Sequence, residues 1–188
     1  MTPTHSGRVR ARPEISVIID APDWRKDRAL IGIVRRAAQL AAHPATAGNA
    51  VCSQVPSASV LLSSDKTIQE LNSAFRKMNE PTNVLAFPAL PQAAPYLGDV
   101  ALAYGVVRRE AIAQGKTLAA HSAHLTIHGI LHLLGFDHHR QNDAKLMENQ
   151  EICLLAQLGF ANPYEAGMPV RKQRFRNKLP PCPTNPAR

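Results

Sequence analysis

Residues 117–134, TLAAHSAHLTIHGILHLL, are apolar nearly all the way round a helix, and no other segment constrains the fold as much. Leu118, Ala119, Ala123, Leu125, Ile127, Ile130, Leu131, Leu133 and Leu134 fall on every side of a 3.6-residue period, so this helix belongs inside the molecule. Thr117 can cap its start, and Gly135 suits the residue that ends it. The rest of the chain supplies candidates for the layers around it. Residues 14–20, 57–62, 82–87 and 98–103 read as strands. Asp27 can cap a helix whose apolar residues run from Leu30 to Ala41. Ser64 and Asp65 can cap another over 67–76, with Ile68, Leu71 and Phe75 as its inner stripe. A further helix is expected over 106–114. A last one is capped by Asn142 or Asp143 and closed by Gly159. Residues 46–56 and the Pro-rich 88–95 read as loops.

This order of elements argues a single compact α/β (α+β) domain over 14–167, with four strands and about five helices. Hydrophobic residues make up 45% of the 188, enough for a real core. No run approaches ~18 uninterrupted apolar residues, so no membrane span is expected. The N-terminus is basic but no apolar stretch follows it, so no secretory signal is expected and the expected location is cytoplasmic.

The formal charge of +8 is unevenly spread. Residues 1–13 and 168–188 hold nine of the 22 Lys+Arg and no acid, whereas the 13 bases of 14–167 face all 14 acids. Both ends are expected to be disordered basic tails, the C-terminal one Pro-rich, able to attract polyanions or simply to solubilise the chain. Cys52, Cys153 and Cys182 are odd in number, far apart and in no CxxC pair. Free thiols are expected rather than a disulfide framework or a Cys-based zinc site.

The chemistry lies in HGILHLLGFDH. His128 and His132, four residues apart, share one face of the buried helix. Gly135 then lets the chain turn back and bring His138 over the same point. Three neutral imidazoles leave the fourth position of a tetrahedral Zn²⁺ open, the layout of a catalytic metal site. Zinc suits an all-imidazole site best, although nickel and copper also bind imidazole. His139 can substitute for His138 by position alone. His124 shares the face of His128. Lying eight residues from His132, about 12 Å along the axis, it cannot join one ion with it. It reads as a buried satisfied histidine or as a group supporting a ligand, and His121 reads as a surface residue. Asp137 can orient an imidazole or stay solvated.

The string fits H-x-x-x-H-x-x-G-x-x-H, the ligand skeleton of metzincin peptidases. Those place a catalytic Glu after the first His, where this chain has Gly129. The same segment closely resembles the HGxLHLxGYDH pattern of the YbeY family of bacterial endoribonucleases, with Phe136 for Tyr. Upstream, LNSAFRKMNEPTNVLAFP is similar to the family's LNxxYRxxxxPT[DN]VLSFP, in register from Arg76 to Pro88. LGDV at 97–100 and LGFANPY at 158–164 are further matches. The loop after Arg76 reads Lys77-Met78-Asn79-Glu80, less basic than the family's usual Gly-Lys-Asp-Lys, and Ala86 replaces a frequent Ser.

The resemblance implies a mixed β-sheet packed with helices and one zinc ion on His128, His132 and His138. It implies Arg76 as a catalytic residue that binds or stabilises a phosphate through its guanidinium fork. It further implies a single-strand-specific endoribonuclease that matures the 3′ end of 16S ribosomal RNA and serves ribosome quality control. The partners would be single-stranded ribosomal RNA and the small ribosomal subunit with its assembly factors. The alternatives are an assembly factor with a structural metal, and a metzincin-like peptidase.

Overall fold

The structure is a computed structural model, and it describes residues 12–43, 46, 54–138 and 141–165. Four strands form one mixed sheet: β1 (Glu14–Ile19), β2 (Ser57–Ser63), β3 (Val84–Pro88) and β4 (Tyr96–Ala103). Their order is β1-β2-β4-β3, with β1, β2 and β4 parallel and β3 antiparallel to β4 at the edge. Five α-helices complete the domain: α1 (Arg28–Ala41), α2 (Asp65–Arg76), α3 (Tyr104–Ala113), α4 (Leu118–Leu133) and α5 (Gln141–Gln157).

Alternation along the strands decides which helices cover which face. Val100 and Leu102 of β4, with Val60 and Leu62 of β2, join the larger core formed with α1, α4 and α5. Ala101 and Ala103 point the other way and meet Ile68 of α2 and Leu85 of β3. The expected caps are observed at three helices. The Asp27 side chain accepts from the Leu30 amide, that of Ser64 from Thr67, and that of Thr117 from Ala120. Each satisfies a donor that the first turn of a helix leaves open.

Helix α4 is buried as its composition requires, with Ile127, Ile130 and Leu131 fully enclosed. It sits so close to the sheet that a Cβ built on Gly129 would lie 2.6 Å from Val100 Cγ1. A 3₁₀ turn over Pro22–Lys26 was not read from the sequence. It buries Trp24, whose indole N–H donates to the Ser63 carbonyl at 3.0 Å.

Three expectations are corrected. Phe75 is 68% exposed and not part of the inner stripe of α2, because that stripe runs through Ile68 and Asn72 and the helix ends before another turn forms. His121 is buried rather than superficial, because its ring nitrogen finds Glu110 at 2.8 Å. Cys153 is disulfide-bonded and so is not a free thiol, a pairing that the odd count and wide spacing of the cysteines conceal. The basic tails, 1–13 except for its last two residues and 168–188, lie outside the described residues, as does His139. Among the described residues, no helix is long and apolar enough to cross a membrane.

Candidate metal centre

Helix α4 carries His124, His128 and His132 along one face, at intervals of one turn. Just beyond it, Gly135 takes φ +83°, a conformation that costs glycine little. The helix closes there with paired bonds: the Gly135 amide donates to the His132 carbonyl, and the Phe136 amide to that of Leu131, both at 3.0 Å. This cap reverses the chain and brings His138 back over the helix. The His138 ring lies 5.7 Å from that of His128 and 5.0 Å from that of His132. One ligand atom from each of the three histidines falls within 4.8 Å of the others. Asp137 accepts from the His138 backbone amide at 2.7 Å, which steadies the approach of the third imidazole.

The hydrogen bonds around the rings set their tautomers. His132 Nδ1 lies 3.1 Å from the Phe136 carbonyl, which can only accept, so this nitrogen carries the proton. His128 Nδ1 lies 2.7 Å from Glu151 Oε1. Burial alone would raise the Glu151 carboxyl, but hydrogen bonds from His124 and His128 outweigh it and hold it down at about 2. The group is therefore a carboxylate at neutral pH, and His128 Nδ1 is the donor. With both rings in the neutral form, both Nε2 atoms are unprotonated, and they face each other at 3.1 Å. Two lone pairs at that distance repel unless a cation lies between them. The donor set therefore fits a metal ion, and this fit comes from the tautomers rather than from the count of histidines. The His132 imidazolium is disfavoured, first by burial and then by His128 and His138.

Glu151 is the residue that sequence spacing missed. It is 1% exposed on α5 and accepts from His124 Nε2 at 3.0 Å, from His128 and from the Tyr164 hydroxyl. A signal was present. Met147, Glu151 and Leu155 lie four residues apart, so one acid stands in the inward stripe of α5. His124 and His128 thus share one carboxylate. Burial, then the Glu151 carboxylate, pushes the Tyr164 hydroxyl well up.

Arg76 ends α2 and is exposed, and Lys77 at φ 61° turns the chain away from the helix. The loop that follows is tied down: Asn72 donates to the Glu80 carbonyl at 2.8 Å, and the Asn83 amide donates to Glu110 at 3.0 Å. Arg76, Asn83 and the inward residues of β3, Val84 and Ala86, form one bank of a cleft of about 650 Å³. His128, His132 and His138 lie on the other bank. All four site residues read from the sequence therefore open into one space.

Comparison with known proteins agrees. The family described as Endoribonuclease YbeY matches residues 25–159. An Endoribonuclease YbeY of Rhodopseudomonas palustris is 42% identical over 169 residues, which cover 86% of this chain and 84% of the relative. One from Gluconobacter oxydans is 40% identical over 160 residues, covering 80% of this chain and 88% of the relative. The solution structure of TM1509 from Thermotoga maritima shares the fold, with a TM-score of 0.53 and 23% identity over 77% of this chain and 88% of that one. With a mixed four-stranded sheet, five helices and a match over most of its length, the chain belongs to the Endoribonuclease YbeY family.

Proposed function

We propose that this protein is a single-strand-specific endoribonuclease that holds one zinc ion on His128, His132 and His138 and uses Arg76 on the scissile phosphate. The observation that carries this reading is that Arg76 and the three histidines line one cleft. When bound, zinc supplies Lewis acidity towards a phosphoryl oxygen and acidifies a bound water. The Arg76 guanidinium presents a fork of N–H donors that matches phosphate oxygens and offsets charge developing on them. The Glu151 carboxylate is committed to three donors, so its role is to orient His128 rather than to take a proton. The nucleophile is read from the products: a 2′,3′-cyclic phosphate with a 5′-hydroxyl marks attack by the neighbouring 2′-hydroxyl, and a 5′-phosphate with a 3′-hydroxyl marks water.

Ribosomal RNA is the substrate this reading favours, at the 3′ end of 16S RNA. The small ribosomal subunit and its assembly factors would be partners in the cytoplasm. This part of the reading rests on the family resemblance. The peptidase alternative is disfavoured by Gly129. A glutamate there would bring its Cβ to 2.6 Å from Val100 Cγ1, so a general base at this position requires a shift in the packing of α4 on β4. The test is zinc content together with cleavage of single-stranded RNA and of casein, for wild type, His128→Ala and Arg76→Ala. RNA cleavage lost in both variants with folding retained supports the nuclease. Casein cleavage by the wild type overturns it.

A further inference from the structure

The ending LGFANPY has no part in the chemistry above, yet its tyrosine reaches the centre of the site. After α5 the chain runs back along α4 and is fastened there. Lys116, in the turn before α4, donates to the Pro163 carbonyl at 2.7 Å. Asn162 folds its side chain to accept from the Tyr164 amide at 3.0 Å. These bonds place Tyr164 so that its ring meets the edge of His124, with centroids 5.6 Å apart and planes at 84°. Its hydroxyl donates to Glu151 Oε2.

Glu151 is enclosed, so its carboxylate orientation is set wholly by the donors around it. Oε2 takes His124 Nε2 and the Tyr164 hydroxyl. Oε1 takes His128 Nδ1. Without the hydroxyl, the carboxylate loses one of the three donors that hold its orientation, and Oε2 keeps only His124 Nε2. His128 would then lose the anchor that fixes both its tautomer and the direction of Nε2. We infer that Tyr164 is a positioning residue of the metal centre, acting through Glu151 to aim His128. This rests on the reading of the three histidines as a metal site.

The substitution Tyr164→Phe keeps the ring packed on His124 and removes only the donor. Zn²⁺ affinity, measured by competition with a chromophoric chelator, is expected to fall roughly 10-fold, the low end of what partners of ligating histidines contribute. The d–d absorption of the Co²⁺-loaded protein should shift. The melting temperature of the metal-free protein should fall by less than that of the loaded protein, because the lost hydrogen bond to Glu151 costs both but only the loaded one also loses metal affinity. Glu151→Gln is expected to lose more, and the double variant no more than Glu151→Gln alone, because one residue acts through the other.

Wild-type affinity in Tyr164→Phe overturns the inference and leaves Tyr164 as an anchor of the chain end. Additive losses in the double variant, or a metal-free melting temperature lowered as much as the loaded one, overturn it too. Failure of the wild type itself to bind Zn²⁺ overturns the metal-site reading, and this inference with it. That outcome is visible before any variant is compared.

Discussion

The two banks of the cleft are built in opposite ways. On the α4 and α5 side, His128 and His132 each have one ring nitrogen engaged, and the carboxylate behind them is almost wholly enclosed. On the α2 and β3 side, Arg76 stands exposed at the end of a helix, with no hydrogen bond or ion pair among the described residues. The contrast is what the two proposed tasks would require. A metal demands donors fixed to a few tenths of an ångström, which only a packed interior with satisfied hydrogen bonds supplies. A phosphate-binding guanidinium needs an open charge, and a carboxylate partner would compete with the anion it serves. The molecule therefore spends its core on one bank and leaves the other in water.

The largest expected effect comes from breaking the rigid bank. His128→Ala should abolish stoichiometric metal binding and RNA cleavage together, as read by metal analysis and a single-stranded RNA assay. Arg76→Ala should separate the two: full metal content, with cleavage reduced roughly 10²–10³-fold, the usual cost of removing one donor to developing charge. If it loses metal as well, the two banks are not independent.

An acid titration sharpens the same contrast. Glu151 is held at about 2 against an ordinary 4.5, and His132 is lowered from 6.5. Each binds fewer protons in the folded chain than in the unfolded one, so stability falls as pH falls. The His132 contribution is complete above 6.5 and is lost below it. The Glu151 contribution, on the order of 3 kcal/mol, is complete above about 4.5 and is lost towards 2. Chemical denaturation of the chelator-treated protein at several pH values checks this, and Glu151→Gln should flatten the lower window.

Packing variants give the smallest effects. Gly129→Ala should cost about 1–3 kcal/mol by overpacking against Val100, seen as a lower denaturation midpoint. Phe75→Ala, on the exposed bank, should cost less than about 1 kcal/mol, mostly its edge contact with Phe87.

Local signals made much of this legible in advance. Asp27, Ser64 and Thr117 were readable as caps because capping is decided within four residues. His128, His132 and His138 were readable because a helix face and a glycine turn bring them together without help from distant parts of the chain. Glu151 was not, because it reaches His128 only after α5 folds back across α4. His121 was misjudged for the same reason: its partner Glu110 lies on another helix. Phe75 fell on the apolar period of α2, but at the end of that helix its ring meets Phe87 of the edge strand and stays 68% exposed. The shared cleft of Arg76 and the histidines became visible only once β3 lay antiparallel beside β4.

The contact between Gly129 and Val100 also bears on what this scaffold can become. A carboxylate beside the first histidine would overpack against the strand, and a smaller residue in place of Val100 would relieve that contact. Introduced alone, the acid meets a wall and weakens the fold before it can reach a water molecule. Shrinking Val100 alone opens a void in the core and gains nothing. Each intermediate costs stability, so the two changes together should be better tolerated than either alone. A designer attempting it should begin in the sheet rather than at the metal.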